Sequence, residues 1–345
     1  MSESRNNSIL EQFRRSWPAT GWCDVTTLVG VSGGSDSVAL LRLMSAASAA
    51  SSDSGRLVVA HFDHGWRDDS AQDAQFVAGL AATLEVPCAL GSAAEEAAAN
   101  TAPADASVSA SEERARAMRY EFLTRTAKQH GARFIALGHT ADDQVETILH
   151  HMMRGSGLRG LGGIRRSRKI DESITLIRPM LGFRRAELIE YLRSLGQTFR
   201  VDATNADPSY TRARIRLELL PQLRSYNSEV DESLLRLGGL AAEASAEISR
   251  LAQDVLREAT TASTATSVTI SIPALADVSP YLVREMFAEL WRQQAWPLQD
   301  MSYEKWDALC RLVHADTQPT ATTFNLPGNI IARCELRSHV ELRAM

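Results

Sequence analysis

One short arrangement constrains the fold of this chain more than any other. The apolar run Thr27-Leu28-Val29-Gly30-Val31 leads directly into Ser32-Gly33-Gly34-Ser35-Asp36-Ser37, and the periodic stretch Ser37-Val38-Ala39-Leu40-Leu41-Arg42-Leu43-Met44 follows at once. A buried strand, a tight glycine loop and a helix in that order suit anion binding. Glycine lets the backbone turn sharply, and successive amide groups at a helix N-terminus then face a phosphate. Ser32, Ser35 and Ser37 add hydroxyls. No lysine follows the glycines, so the loop is not of the Gly-x-x-x-x-Gly-Lys-Ser/Thr kind that serves γ-phosphate chemistry. Asp36 would repel a phosphate, and a bridging Mg²⁺ relieves that repulsion.

The pattern continues beyond the loop. Leu57 to His61 and Arg133 to Leu137 read as further strands. Asp73 to Leu84, Glu112 to His130 and Asp142 to Met152 read as helices, the last with Val145, Ile148, Leu149 and Met152 at i, i+3, i+4, i+7. Alternating strands and helices imply an α/β domain with a parallel sheet. Gly91 to Ala110 has almost no large apolar residue and reads as a loop or insertion, and Gly155 to Gly163, with five glycines, as a flexible element. Pro221 is expected to end the α/β part. Residues 1–221 then form one domain, and 222–345 a second, mostly helical one. That second domain has helices over Ser233 to Thr260, Val283 to Gln294 and Tyr303 to His314, and short strands at Val268 to Ile272 and Thr322 to Leu326.

Composition narrows the function classes. The 345 residues are 44% hydrophobic and 23% charged, as in a soluble globular protein. Met1 to Leu10 is polar, unlike a signal peptide, and no apolar stretch is long enough to span a bilayer, so the expectation is a cytoplasmic protein with no membrane partner. The four cysteines, Cys23, Cys88, Cys310 and Cys334, form no Cys-x-x-Cys pair, which argues against zinc, iron–sulfur and thiol-redox sites. Net charge is −5, yet nine basic residues fall between Arg154 and Arg185, opposed only by Asp171 and Glu172. Such a run is either a solvated face or a contact for a polyanion.

Ser32-Gly33-Gly34-Ser35-Asp36-Ser37 after a strand resembles the signature of the PP-loop ATP pyrophosphatase superfamily (adenine nucleotide alpha hydrolase-like). The resemblance implies that ATP binds on this loop through Ser32 to Ser37, with Asp36 on Mg²⁺, and that cleavage falls at the α-phosphate. Further segments narrow it. In order they are His61-Phe62-Asp63-His64-Gly65-Trp66-Arg67, Glu112 and Glu113 with Arg116 and Arg119-Tyr120, Gly138-His139-Thr140-Ala141-Asp142-Asp143-Gln144-Val145-Glu146-Thr147 and Arg154-Gly155-Ser156-Gly157-Leu158. Ile177-Arg178-Pro179-Met180-Leu181, Asp202-Ala203-Thr204-Asn205 and Tyr210 to Arg216 follow. From about Val25 to Pro221 this series closely resembles the tRNA(Ile)-lysidine synthetase family. The implied reaction joins free L-lysine to C2 of the wobble cytidine of the CAU-anticodon tRNA(Ile), through an adenylated cytidine, with ATP and Mg²⁺. A PP-loop tRNA thiolase is the alternative enzyme.

The resemblance also assigns residues. Asp36, Asp143 and Arg116 are its catalytic candidates, and the His61 and His139 segments lie on the adenylate side. Other readings stand beside these. His61, Asp63 and His64 could ligate a metal. Asp142 and Asp143 could simply cap a helix. Glu146, one turn on, could face the site or solvent. Arg116 and Arg119 share a helix face and could pair with Glu112 and Glu113. Arg212, Arg214 and Arg216 mark either an amphipathic segment or phosphate contacts. Arg165, Arg166 and Arg168, with Arg212 and Arg214, are the expected tRNA contacts, and a homodimer is the expected assembly.

Overall fold

The structure is a computed structural model that describes residues 2–18, 21–49, 55–65, 70–94, 108–201, 211–314, 321–335 and 338–345. Trp66-Arg67, Asp202-Ala203-Thr204-Asn205, Tyr210 and most of the 91–110 stretch lie outside the described residues, as do the side chains of Glu112 and Glu113. By its internal contacts the chain divides into two compact units, Met1–Gly238 and Gly239–Met345.

In the first unit, strands β1 (Thr27–Gly30), β2 (Leu57–Asp63), β3 (Cys88–Ser92), β4 (Phe134–Leu137), β5 (Ser167–Lys169) and β6 (Thr175–Ile177) form one sheet in the order β3-β2-β1-β4-β6-β5. All pairs are parallel except β5 with β6. Alternation along β1 sends Val29 to one face and Leu28 to the other. Val29 packs with α1 (Ser2–Ser16), α2 (Ser35–Ser48), α3 (Ser70–Thr83) and α7 (Arg185–Ser194), through Phe13, Leu40, Val77 and Leu188. Leu28 packs with Phe122, Leu123 and Ala127 of α4 (Val108–Gln129). Helices therefore cover both faces, as parallel strands require. The chain leaves β1 toward β2 on one side and later returns to β4 on the other. The strand order reverses at the β1/β4 junction, where ligands of open parallel sheets bind beyond the carboxyl ends.

Several elements differ from the sequence reading. Gly91 and Ser92 end β3 instead of opening a loop, and α4 already begins at Val108. A Cβ at Gly91 would collide with the Phe122 ring, so a side chain there would force that buried ring to move. Val145, Ile148 and Leu149 of α5 (Ala141–Met153) meet Ile215, Leu220 and Leu234, while Met152, expected on the same stripe, is exposed. The glycine-rich stretch holds the short helix α6 (Leu158–Leu161) and is pinned rather than free. The Gln144 side-chain amide donates to the Ile164 carbonyl at 3.0 Å and accepts from its N–H at 2.5 Å. Pro221 lies inside a continuous helical run of α8 (Thr211–Arg214), a π-helical turn (Ile215–Leu219) and α9 (Leu220–Tyr226). The wider turn accommodates a residue that has no N–H to donate. Helix α10 (Val230–Ala259) then spans Gly238, where the compact units divide.

The second unit is helical as expected in α11 (Pro280–Gln293) and α12 (Tyr303–His314). Its strands are more numerous than the two the sequence suggests. β7 (Thr260–Ser263), β8 (Ser267–Ser271), β9 (Ala321–Leu326), β10 (Ile330–Glu335) and β11 (His339–Ala344) form an antiparallel sheet in the order β7-β8-β11-β10-β9. Its core gathers Trp291, Phe287, Met286, Ile270 and Leu342. No helix among the described residues is long and apolar enough to cross a membrane.

Candidate active site at the carboxyl end of the parallel sheet

The loop after β1 is shaped from within. Gly33 adopts φ +94°, which L side chains rarely take. Its carbonyl accepts the Arg200 N–H at 2.9 Å, and Arg200 Nε is held by Asp73 Oδ1 at 2.7 Å. The Ser37 hydroxyl donates to the Gly34 carbonyl at 3.0 Å and accepts the Ser32 N–H at 3.1 Å. Ser37 therefore braces the loop, and its buried hydroxyl is already committed. The Ser35 hydroxyl donates to Asp36 Oδ1 at 3.0 Å. Gly34 caps α2 without a side-chain hydrogen bond, which leaves the first-turn amides of that helix for an incoming anion.

The loop after β4 faces it. A Cβ on Gly138 would stand 3.0 Å from the Asp36 carbonyl carbon and oxygen, so any side chain there would push the two loops apart by a few tenths of an ångström. Thr140 caps α5 in a reciprocal box. Its N–H and hydroxyl donate to Asp143 Oδ2 at 2.7 and 2.9 Å. Asp143 is thus a capping residue with a second oxygen turned to the facing loop. Oδ2 serves the cap, and Oδ1 accepts from Arg185 at 3.2 Å.

Arg185 ties the two loops together. Its Nε donates to Asp36 Oδ2 at 2.9 Å, and its backbone N–H donates to Asp142 Oδ2 at 2.8 Å. Burial raises the Asp36 carboxyl above its ordinary range. Arg185 opposes that, and the nearby Asp143 adds to it. Burial alone would lower the Arg185 guanidinium, but Asp36 and Asp143 outweigh it and hold it above its usual value. Two carboxylates sharing one cation at the mouth of an anion-binding loop form a site whose charges have opposite preferences. It fits a divalent ion on the loop side, because Mg²⁺ takes one or two carboxylates and completes its shell with substrate oxygens and water. The described residues contain no group of three or more His, Cys, Asp or Glu able to hold a metal by themselves.

The remaining candidates sort by geometry. His61 is buried, and its Nδ1 lies 2.9 Å from the Val31 carbonyl, which fixes Nδ1 as the donor and leaves Nε2 buried without a partner. Asp63 takes the Gly65 N–H at 2.7 Å and the Ser70 hydroxyl at 2.9 Å, a turn role at the start of α3. His139 has a buried Nδ1 with no partner. Burial, with nearby Arg178, Arg116 and Arg119, pushes its pKa down to about 4 against the pull of Asp143. Arg116 is exposed and donates to the Tyr120 phenol at 3.3 Å.

Glu146 is neither solvated nor open to the site. It is buried and receives Arg216 through two bonds of 2.6 and 3.0 Å. Arg216 is thus the inward member of its trio, while Arg212 and Arg214 are exposed and Arg214 pairs with Glu218 at 3.5 Å. Arg165, Arg166 and Arg168 are all exposed but do not converge. Arg166 reaches the Ser16 carbonyl and the Trp17 ring, and Arg168 stacks on Tyr120. Sequence reasoning missed Arg185 and Arg200 as site-building residues, and it offered Arg216 only as part of an amphipathic segment or as a phosphate contact, not as the partner of Glu146. Nothing local marks them, since each meets its partner across many residues of intervening chain. Cys23, Cys310 and Cys334 are buried and Cys88 is exposed on β3.

The PP-loop domain family matches residues 7–223. A tRNA(Ile)-lysidine synthase of Rhodopirellula baltica is 38% identical over 73% of this chain and 66% of its own length. One of Bacillus cereus is 36% identical over 76% of this chain and 53% of its own length. One of Synechococcus is 36% identical over 67% of each. The chain thus spans between about half and two thirds of the length of these relatives. Among solved structures, the U34-tRNA thiolase NcsA of Methanococcus maripaludis superposes with a TM-score of 0.56 at 14% identity, over 70% of this chain and 80% of that one, a likeness of fold. With an ATP-binding loop after β1, an acidic helix start after β4 and these matches, the chain belongs to the PP-loop family, in its tRNA(Ile)-lysidine synthase branch.

Proposed function

We propose that the chain joins the ε-amine of free L-lysine to C2 of the wobble cytidine of the CAU-anticodon tRNA(Ile), using ATP. One observation carries this reading: Asp36 on the nucleotide loop and Asp143 on the facing helix meet on a single guanidinium, that of Arg185. An adenylating centre and an acceptor-side carboxylate are thereby adjacent. The relatives' name, tRNA(Ile)-lysidine synthase, supports a tRNA(Ile) substrate. In this scheme the cytosine O2 attacks the α-phosphorus of ATP on Ser32 to Ser37, and pyrophosphate leaves. The lysine amine then attacks C2, its proton passes to a base, and AMP departs.

Asp36 would hold Mg²⁺, whose contribution is to neutralise charge on the phosphates. Asp143 receives the lysine ammonium in place of Arg185 and accepts its proton, a step the amine needs because its free pKa is about 10.4. His139, neutral and half-buried, lies on the adenylate side with His61, and Arg116 reaches the reacting base. Arg165, Arg166, Arg168, Arg212 and Arg214 contact the tRNA backbone. Residues 1–221 carry the chemistry and 222–345 a second tRNA contact, in a cytoplasmic homodimer. A single-stranded anticodon suits this site, since its bases unstack readily. The test supplies ATP, radiolabelled lysine and a tRNA(Ile) transcript. Label in the tRNA with equimolar AMP is the expected result, and AMP release without label in the tRNA refutes it.

A further inference from the structure

Tyr120 of α4 stands at the centre of four arginines. The guanidinium carbons of Arg116, Arg168 and Arg119 lie 5.3, 5.4 and 5.8 Å from its ring centroid. Arg178, directly after β6, reaches the same phenol and also donates to the Arg165 carbonyl at 2.7 Å. The Nε atoms of Arg119 and Arg178 are buried without a hydrogen-bond partner. No carboxylate among the described residues pairs with any of the four. One aromatic face relieves a guanidinium only modestly. Four like charges, two of them with a buried Nε that has no partner, call for an anion, and the planar fork of arginine matches a phosphate.

We infer that this cluster binds a backbone phosphodiester of the RNA strand beside the reacting nucleotide. This assignment rests on the RNA reading of the site. The surface beyond the cluster favours a strand over a compact anion. An open groove of about 700 Å³ runs on from Tyr120 and is lined by Arg125, Lys128, Arg168 and Lys169, with Glu121 as its acidic member. Lys128 is paired with Asp171 at 2.9 Å. From Tyr120 to Lys128 the helix advances roughly 12 Å, so positive charge extends along a line as a chain of phosphates does. At its inner end the cluster borders the active site, since Arg116, Arg119 and Arg178 all act electrostatically on His139. Aromatic rings interleaved with arginines are the usual platform for single-stranded nucleic acid.

The test measures binding of a fluorescein-labelled stem-loop with a CAU anticodon across a salt series. It compares the full chain with Arg168→Gln and Arg119→Gln, and follows ATP affinity in parallel. Each variant is expected to bind the stem-loop roughly fivefold more weakly at 0.1 M salt, with the slope of log K against log salt reduced by about 0.7, the value of one lost phosphate contact on a single strand. A stem-loop with a neutral methylphosphonate at the contacted linkage should show the same loss with the unaltered chain and no further loss with the variants. An unchanged slope in both variants overturns the site while leaving RNA binding intact. A loss in ATP affinity in place of stem-loop affinity moves the cluster to the nucleotide and overturns it as well. An unaltered chain that fails to bind the stem-loop overturns this site together with the RNA reading. Arg168 is exposed, so its substitution leaves the fold in place even if that of Arg119 does not.

Discussion

Arg185 shows how little charge separates a resting site from a working one. It holds Asp36 and Asp143 with one guanidinium, and both carboxylates are wanted elsewhere in the proposed reaction. Asp36→Ala removes the acidic group on the nucleotide loop. AMP formation is expected to fall by about 10²–10³, the scale of losing one electrostatic stabiliser, and pyrophosphate release reads it; near-normal turnover would take Asp36 out of the mechanism. His139 gives a pH signature. An unfolded histidine titrates near 6.5, whereas the native ring holds its proton only below about 4. The native state therefore binds fewer protons between these values. The stability from this residue is complete above pH 6.5 and is lost as pH falls toward 4, by on the order of 3 kcal/mol. Urea midpoints measured over that window should decline more steeply for the native chain than for His139→Gln. Parallel curves would contradict the buried, neutral ring. The sequence made Asp36 and Asp143 visible because each opens a helix after an apolar strand. It hid Arg185, whose partners lie 149 and 42 positions away.

At the scale of elements, two contacts decide whether the loops meet. Gly138→Ala sets a methyl against the Asp36 backbone, where neither side is a flexible side-chain end. A cost of about 1–3 kcal/mol is expected from such overpacking, together with weakened ATP binding, because relief requires the nucleotide loop to move. Calorimetric titration with ATP checks the second part, and an unchanged affinity would show that the loops tolerate separation. The Glu146–Arg216 pair fastens α5 to the π-helical turn. Glu146→Ala strands a partly buried guanidinium and is expected to cost about 2–4 kcal/mol, whereas replacing both members with apolar residues of similar volume recovers most of that. A double-mutant cycle by urea denaturation measures it. Helix α5 was legible from its 3.6-residue stripe, although not the surface that stripe would meet. Strand β3 was not legible. Cys88 to Ser92 is short, its exposure does not alternate cleanly, and an alanine-rich stretch follows it without a break. The π-helical turn was hidden for another reason: proline ordinarily stops a helix, and only the packing of Ile215 and Leu220 carries the run through Pro221.

Across the whole molecule, alternating strands and helices announced the parallel sheet, but strand order is a tertiary property. The reversal between β1 and β4 that brings the nucleotide loop to the acidic helix start is set by how α2 and α4 cover opposite faces. The second unit was read for its helices because its strands are brief, and β7 is polar and largely exposed. Its core is nevertheless its own. Trp291 meets Trp296 and Trp306 edge to face at 4.9 and 5.2 Å between ring centroids, and every buried member of that cluster falls within 252–342. The cores around β1 draw only on residues before Gly238. Two cores without shared members can unfold in separate steps. Phe287→Ala, at a fully buried position, should cost the second unit about 3–5 kcal/mol, seen as an earlier transition of that unit in calorimetry. ATP at a hundred times its dissociation constant should raise the stability of the first unit by about 2.7 kcal/mol and leave the transition of the second, the one that Phe287→Ala lowers, where it was. Calorimetry of the full chain with and without ATP, in the native sequence and in Phe287→Ala, separates the two effects. A single transition that ATP and Phe287→Ala both shift would show that the cores fold as one.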